Sequence, residues 1–222
     1  MNLILIILLF LLSGAVLAEP EENTRQCNSL LDIDNTTLFY FKKLREKYLL
    51  TPYVGKNIAK IIIKSLPIFD TSNPKEDYWL YGLVNRLHSD TYESVIRQQL
   101  LLKSGSLINI REVAESERIL RNSSSLIDAV IIPFAECNDG IDLLVLTRDV
   151  WTLYPKLSFG RSGGRNKTSA AIIDKNVLGS GKEISVDYKT EAQRNTLSMN
   201  FLDKHILGSR WQLKTQYSVN ND

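Results

Sequence analysis

Residues Gly160-Arg161-Ser162-Gly163-Gly164 fit the pattern Gly-x-Ser-x-Gly, which in serine hydrolases lifts a nucleophilic hydroxyl onto a sharp turn. That chemistry needs a strand before the serine, a helix after it, and a histidine backed by a carboxylate. A strand-like segment does precede Ser162, but Arg165 to Thr168 leads into another strand-like segment. The downstream histidine, His205, stands two residues from Asp203 in a stretch that reads as a hairpin turn. The motif therefore reads as a glycine-rich turn, and the chain is not expected to be an enzyme. His88 and His205 share no ligand spacing with each other or with carboxylates, so they read as loop or helix-end residues. No metal or cofactor site is expected. Cys27 and Cys137 lie too far apart for a Cys-x-x-Cys centre; in an oxidising compartment they either pair or stay as two thiols.

Charge says little about partners and the N-terminus says a great deal. The 222 residues carry 27 Lys+Arg against 25 Asp+Glu, with neither sign in a long block, so nothing points to nucleic acid. Leu3 to Leu12 is an unbroken apolar run, and Val16 and Ala18 are small residues at the −3 and −1 positions of an export-signal cleavage site. Residues 1–18 therefore read as a leader removed after Ala18, although no Lys or Arg precedes the apolar run. An uncleaved anchor is the competing reading, but a spanning helix needs about 20 apolar residues and Ser13-Gly14 interrupts this one. No cysteine follows the run, which argues against a lipoprotein.

The elements that would position any site fall into two halves. Residues 19–60 form an extension with a helix expected over Thr36 to Leu49. Ile58 to Phe69 is an apolar, β-branched run that reads as a buried strand. Asn73-Pro74 is placed to open a helix, whose Leu80, Leu83, Val84 and Leu87 form one apolar stripe. Asp90 with Glu93, and Asn109 with Glu112, read as the starts of two more helices. Strands Leu126 to Ala135 and Ile141 to Thr147 follow, joined by a turn at Asn138-Asp139-Gly140. From Pro155 onward the helical period gives way to alternation, as in Ile184, Val186, Tyr188 and in Leu197, Met199, Phe201. Such strands suit either a membrane β-barrel or a soluble sheet with one wet face. Trp151, Trp211, Tyr188 and Tyr217 would then sit in an aromatic girdle or in ordinary sheet packing.

Several stretches resemble a known family. Ile68-Phe69-Asp70 to Leu87-His88, Gln99-Leu100-Leu101 and Glu115 to Arg121 look like a POTRA (polypeptide-transport-associated) domain. Thr147-Arg148-Asp149-Val150-Trp151-Thr152-Leu153 is similar to the junction that follows the last POTRA strand in the bacterial surface-antigen family. Ser162-Gly163-Gly164-Arg165-Asn166 and Asn176-Val177-Leu178-Gly179-Ser180-Gly181-Lys182 look like opening strands of that family's barrel.

The resemblance spans Ile61 to Asp222. It implies an α+β POTRA-like domain (β-α-α-β-β) over residues 61–149, followed over 150–222 by antiparallel strands of an incomplete outer-membrane β-barrel. Four or five strands cannot close a barrel, which takes at least eight. The chain is thus expected to be the N-terminal part of a longer protein or the product of a premature stop.

The implied function is protein insertion or translocation at the bacterial outer membrane, with the N-terminal domain in the periplasm. The implied partners are extended outer-membrane client polypeptides, periplasmic or lipoprotein assembly factors, and outer-membrane lipid, but no nucleic acid. Clients would pair non-covalently with a sheet edge. The second POTRA strand lies at the rim of that sheet, so the client edge is expected at Leu126, Ile127, Ala129, Val130, Ile131 and Ile132, with Pro133 suited to an edge. The extension covering that same strand is the alternative. Arg148, Asp149 and Trp151 are expected at the domain junction, where Arg148 and Asp149 either form an ion pair or stay solvated. A passive barrel with an anchoring periplasmic domain, or a non-functional fragment, is the competing function.

Overall fold

The computed structural model describes residues 25–31, 37–162, 164–191, 194–209 and 211–221. The expected leader, residues 1–18, lies outside them.

The N-terminal domain is built on a four-stranded sheet of order β1-β3-β4-β2, formed by β1 (Cys27–Ser29), β2 (Ile58–Leu66), β3 (Leu126–Cys137) and β4 (Gly140–Asp149). β3 and β4 are antiparallel and β2 runs parallel to β4. Between β2 and β3 come three helices: α2 (Trp79–Leu87), α3 (Glu93–Gln99) and α4 (Ile110–Arg121). The middle strands read as continuous apolar runs because both their faces are covered. Ala129, Ile131, Leu143 and Val145 face one core with Ile96, Val113 and Leu120 of the helices. Val130, Ile132, Leu144 and Leu146 face a second core with Leu38, Phe41 and Leu44. Those last residues belong to the extension and its helix α1 (Phe41–Lys47). The extension is therefore part of the domain: fully burying a leucine such as Leu44 contributes about 2 kcal/mol.

The helices begin at their expected capping residues only in part. Asn109 caps α4 as expected, its side chain accepting from Arg111 N at 3.0 Å. Asn73-Pro74 does not open a helix. The Asn73 side chain accepts from Lys75 N and its carbonyl from Glu76 N, closing a tight turn, and α2 begins only at Trp79. α3 likewise starts at Glu93 behind Tyr92, without a side-chain cap from Asp90.

The C-terminal half is one five-stranded antiparallel sheet in sequential order, β5 (Leu153–Ser162), β6 (Arg165–Asp174), β7 (Lys182–Glu191), β8 (Arg194–Asp203) and β9 (Leu213–Asn221). Its register sorts side chains by chemistry. Pro155, Ile172, Val186, Met199 and Tyr217 form one cross-strand row, and Leu157, Ala170, Tyr188, Leu197 and Val219 the next. The opposite face carries rows such as Tyr154-Ile173-Ser185-Asn200-Gln216 and Ser158-Ser169-Lys189-Thr196-Asn220. There Asn200 Nδ2 donates to Ser185 and Asp187, and Ser218 bonds Ser198 across the strands. The large apolar side chains of these two rows, Tyr188 and Tyr217 included, are all exposed. Among the described residues no second layer covers them.

Candidate functional site

The serine motif does not sit on a nucleophile elbow. β5 ends at Ser162 and its antiparallel partner β6 begins at Arg165, so the chain goes from strand to strand without the helix a nucleophile elbow requires. The side chains that converge lie elsewhere, at the junction between the two halves and along the outer edge of β3.

Asp149, the last residue of β4, is the centre of the junction. Its Oδ2 accepts from Thr91 N at 2.7 Å and Thr91 Oγ1 at 3.1 Å, and lies 2.9 Å from His88 Nε2. Its Oδ1 accepts from Ser65 Oγ at 3.2 Å. Thr91 in turn accepts from Asn176 Nδ2 at 2.9 Å, and Asn176 Oδ1 accepts from Gly181 N at 2.7 Å. Tyr92 N donates to the Gly179 carbonyl at 2.9 Å. A turn of the C-terminal sheet is thereby bolted to the loop between α2 and α3. Asp149 is buried and the neighbouring Arg148 is engaged elsewhere, so these donors are what offset its desolvation.

Of the two alternatives for Arg148 and Asp149, the ion pair does not form. Neighbours on a strand point to opposite faces, and Arg148 donates instead to the Ile68 carbonyl and to Glu76, beneath the ring of Phe39. Neither residue is a free solvated charge. Trp151 lies between β4 and β5, its indole N–H donating to Leu153 O while the Tyr154 hydroxyl donates to Trp151 O.

His88 was read as isolated; the fold brings it to a carboxylate 61 residues away. His88, Asp90 and Asp149 lie close enough to suggest metal ligands, but both Asp149 oxygens already accept hydrogen bonds. The second such group, around Asp142, contains Cys27 and Cys137, which form a disulfide. The Asp90 carboxyl is held above the usual aspartate range, first by burial and then by the charge of Asp149, with His88 pulling the other way.

The bolted turn has a twin. Asp174-Lys175-Asn176-Val177-Leu178-Gly179-Ser180 and Asp203-Lys204-His205-Ile206-Leu207-Gly208-Ser209 share five of seven residue types at a spacing of 29 (174 to 203). Both fold alike: the residue at the third position donates its N–H to the aspartate, the glycine N–H bonds back to its carbonyl, and the serine hydroxyl caps the fourth carbonyl. Leu178 and Leu207 both have φ 51°. A leucine in that left-handed region costs about 1 kcal/mol or more. The second copy touches the domain lightly, through Lys204 Nζ to Ser124 Oγ at 3.3 Å. This repeat was readable in the sequence and is the sign by which Asn176 and Gly179 could have been found.

The expected client edge is not open. At its end, β1 pairs with Ala135, Glu136 and Cys137, and Leu30 N donates to the Phe134 carbonyl. The Cys27–Cys137 disulfide and the bonds of Arg25 to Asp139 and Asp142 fasten that strand down. Further along, Ile131 N donates to Glu117 Oε1 at 2.8 Å, and the Ala129 carbonyl accepts from Arg45 and Arg121. Glu117 also pairs with both arginines. Leu126, Ala129, Val130, Ile131 and Ile132 are buried; of the six expected residues only Ile127 is exposed. The extension and one ionic cluster thus occupy the edge that an added strand would need. The other outer strand, β2, borders a groove of about 520 Å³ lined by Ile61, Arg97, Leu100 and Leu102.

Searches by sequence find no family profile and no curated protein that matches the chain. By fold, the chain is similar to BamA from Haemophilus ducreyi lacking POTRA domains 1–3, with a TM-score of 0.55 at 13% identity over 73% of this chain. It spans only 27% of that BamA chain. CdiB from Acinetobacter baumannii matches over 76% of this chain and 28% of its own, at 12% identity and a TM-score of 0.42. The likeness to BamA is one of fold alone: a sheet of sequential antiparallel strands preceded by a mixed α+β domain.

Proposed function

We propose that the chain is part of an outer-membrane protein of the surface-antigen type. In this reading the five strands belong to a lipid-facing barrel wall and the domain before them is a periplasmic POTRA-type module. The observation that carries it is the uncovered apolar face of β5–β9. A soluble sheet buries such a face under a second layer, whereas a membrane strand shows it to lipid and its alternate residues to water. Ten-residue strands also suit a tilted crossing. The fold likeness to BamA supports the same reading.

The role we assign is handling of extended client segments by backbone pairing, in protein insertion or translocation. The β2 edge and its groove favour that side of the sheet, because β3 is closed by β1 and the Arg45–Glu117–Arg121 cluster. Photo-crosslinkers at Lys64 on β2 and at Ile127 on β3, each in a membrane-assembled protein, test it. Capture of unfolded outer-membrane polypeptides at Lys64 but not Ile127 is the expected result. Capture at neither position would leave a passive barrel with an anchoring domain as the better account.

A further inference from the structure

Helix α2 is odd for a helix in a folded domain: none of its nine residues is buried. Trp79 is 80% exposed and Leu87 67%, with Tyr78, Leu80 and Leu83 exposed beside them. The helix is nonetheless held firmly. The Tyr81 ring stacks on Phe69 at 4.2 Å, and the Asn85 amide pairs with both backbone groups of Phe69 at 3.1 and 2.9 Å. At about 100° per residue, Tyr81 and Asn85 lie roughly 180° from the stripe Trp79, Leu83, Leu87. The docked side is therefore small and aromatic, and the large apolar side faces away from the domain.

Topology fixes where that side lies. β2 and β4 are parallel with Leu66 opposite Arg148, so Phe69 emerges at the same end of the sheet as Asp149. Asp149 is four residues before β5, a reach of about 14 Å at most. His88, the residue that ends α2, lies 2.9 Å from Asp149. The His88 end of the helix thus lies at the rim of the five-stranded sheet, at the end where β5 begins. A second observation comes from the same rim. Leu178 and Leu207 are 69% and 100% exposed at the tips of the two repeated turns, each in left-handed backbone. Leucines kept in a strained, exposed position are a reason to look for something that takes them up.

We propose that α2 is an interfacial anchor, which lays Trp79, Leu83 and Leu87 into the phospholipid headgroup layer beside the barrel wall, with Leu178 and Leu207 entering the same layer. The occupant is lipid because the helix end and both exposed turn leucines lie at the rim of the sheet read as lipid-facing. Its Trp-Tyr-Leu composition, with Arg86 as the one charge in the helix, is that of residues which settle at a membrane surface. The anchor would fix the tilt of the domain against the membrane and so the direction in which its sheet edges face. This inference rests on the membrane reading of β5–β9, and its test separates the two.

Single cysteines are placed at Leu83, Leu207, Met199 and Ser104, and labelled with an environment-sensitive fluorophore in the full chain. The labelled chains are assembled in vesicles of phosphatidylethanolamine and phosphatidylglycerol carrying spin-labelled lipids. All four sites are at least partly exposed, so folding should survive, and an intact Cys27–Cys137 bond confirms it. Met199 reports on the barrel wall. Ser104 lies in the loop bonded to the start of β2, at the far end of the domain. Headgroup-depth quenchers should dim Leu83 and Leu207, on the order of two-fold or more, acyl-chain quenchers should dim Met199, and neither should touch Ser104. Quenched Met199 with Leu83 as dark to lipid as Ser104 overturns the anchor and leaves the membrane reading standing. A blue-shifted but unquenched Leu83 also overturns it, in favour of a protein partner. Unquenched Met199 removes the membrane reading and the anchor together.

Discussion

The twin turns allow one substitution to be made twice, with only the docking contact differing. Gly179 has φ 75° and Gly208 φ 73°, so a change to Ala carries the same left-handed penalty in both, about 1 kcal/mol. Around Gly208 there is room: an added methyl would meet only the end of the Gln98 side chain, at 3.4 Å. At Gly179 it would stand 2.1 Å from the Asp90 carbonyl oxygen. Backbone on both sides would have to part by an ångström or more, which breaks Tyr92 N to Gly179 O and strains Asn176 to Thr91. Each buried hydrogen bond lost costs about 1–3 kcal/mol. Gly208→Ala should therefore cost about 1 kcal/mol and Gly179→Ala about 3–5 kcal/mol. Amide hydrogen exchange read at Thr91 and Tyr92 is the direct assay. Gly179→Ala should speed exchange there by two orders of magnitude or so, while Gly208→Ala leaves those amides as protected as in the parent. Equal exchange in the two variants would show that the first turn does not bear the junction.

Three further outcomes are expected. Asp90→Asn should stabilise the domain at neutral pH, because Asp90 binds its proton more tightly when folded and its charged form destabilises. The gain should shrink as pH falls from the raised value towards the usual aspartate range, and denaturant midpoints across that window will show whether it does. Replacing Cys27 and Cys137 by Ser removes a link across 110 residues and should cost about 3–5 kcal/mol, with β1 detaching first, seen as new protease cleavage between Cys27 and Leu31. Glu117→Ala leaves Ile131 N and two arginines without their shared acceptor, and should cost about 3 kcal/mol in chemical denaturation; a loss under half of that would mean the cluster is ornamental to the edge.

The alternating strands were legible because register and period agree: each predicted row of apolar residues lands on one face of β5–β9. Strands β3 and β4 were legible from apolar runs alone, since both faces are covered. The helix at Asn73 was misread because an Asn-Pro pair also closes a turn, and local capping chemistry cannot tell the two apart. The site was harder. His88, Thr91, Asp149 and Asn176 are ordinary residues whose meaning lies in contacts 58 to 85 positions apart, and no local spacing encodes those. The disulfide stood undecided in the sequence for the same reason. The repeated turn is the exception, since its residue types recur and its glycines mark positive φ.

The edges of the N-terminal sheet then follow a single logic. A strand as apolar as β3 would invite pairing with any exposed chain, and its own proline and aspartate are a thin defence. The extension and α4 supply the rest: β1 takes the end of the strand, Arg45 of α1 reaches the Ala129 carbonyl, and Glu117 from α4 takes the Ile131 amide. Three elements from distant parts of the chain converge on one edge, and a disulfide holds the outermost. Among the described residues β2 is covered less: the 105–108 loop takes the Ile58 backbone groups at its start, and further along its outer side meets a groove where Arg97 donates to the Ile61 carbonyl at 3.2 Å. An edge closed by covalent and ionic means on one side, with a groove on the other, is what a sheet needs if it is to pair with clients in one direction only. Releasing β1 should then open a second edge: with Cys27 and Cys137 replaced, a crosslinker at Ile127 should begin to capture unfolded polypeptide. If Ile127 stays silent while β1 is demonstrably free, the ionic cluster alone closes the edge and the extension serves packing rather than selectivity.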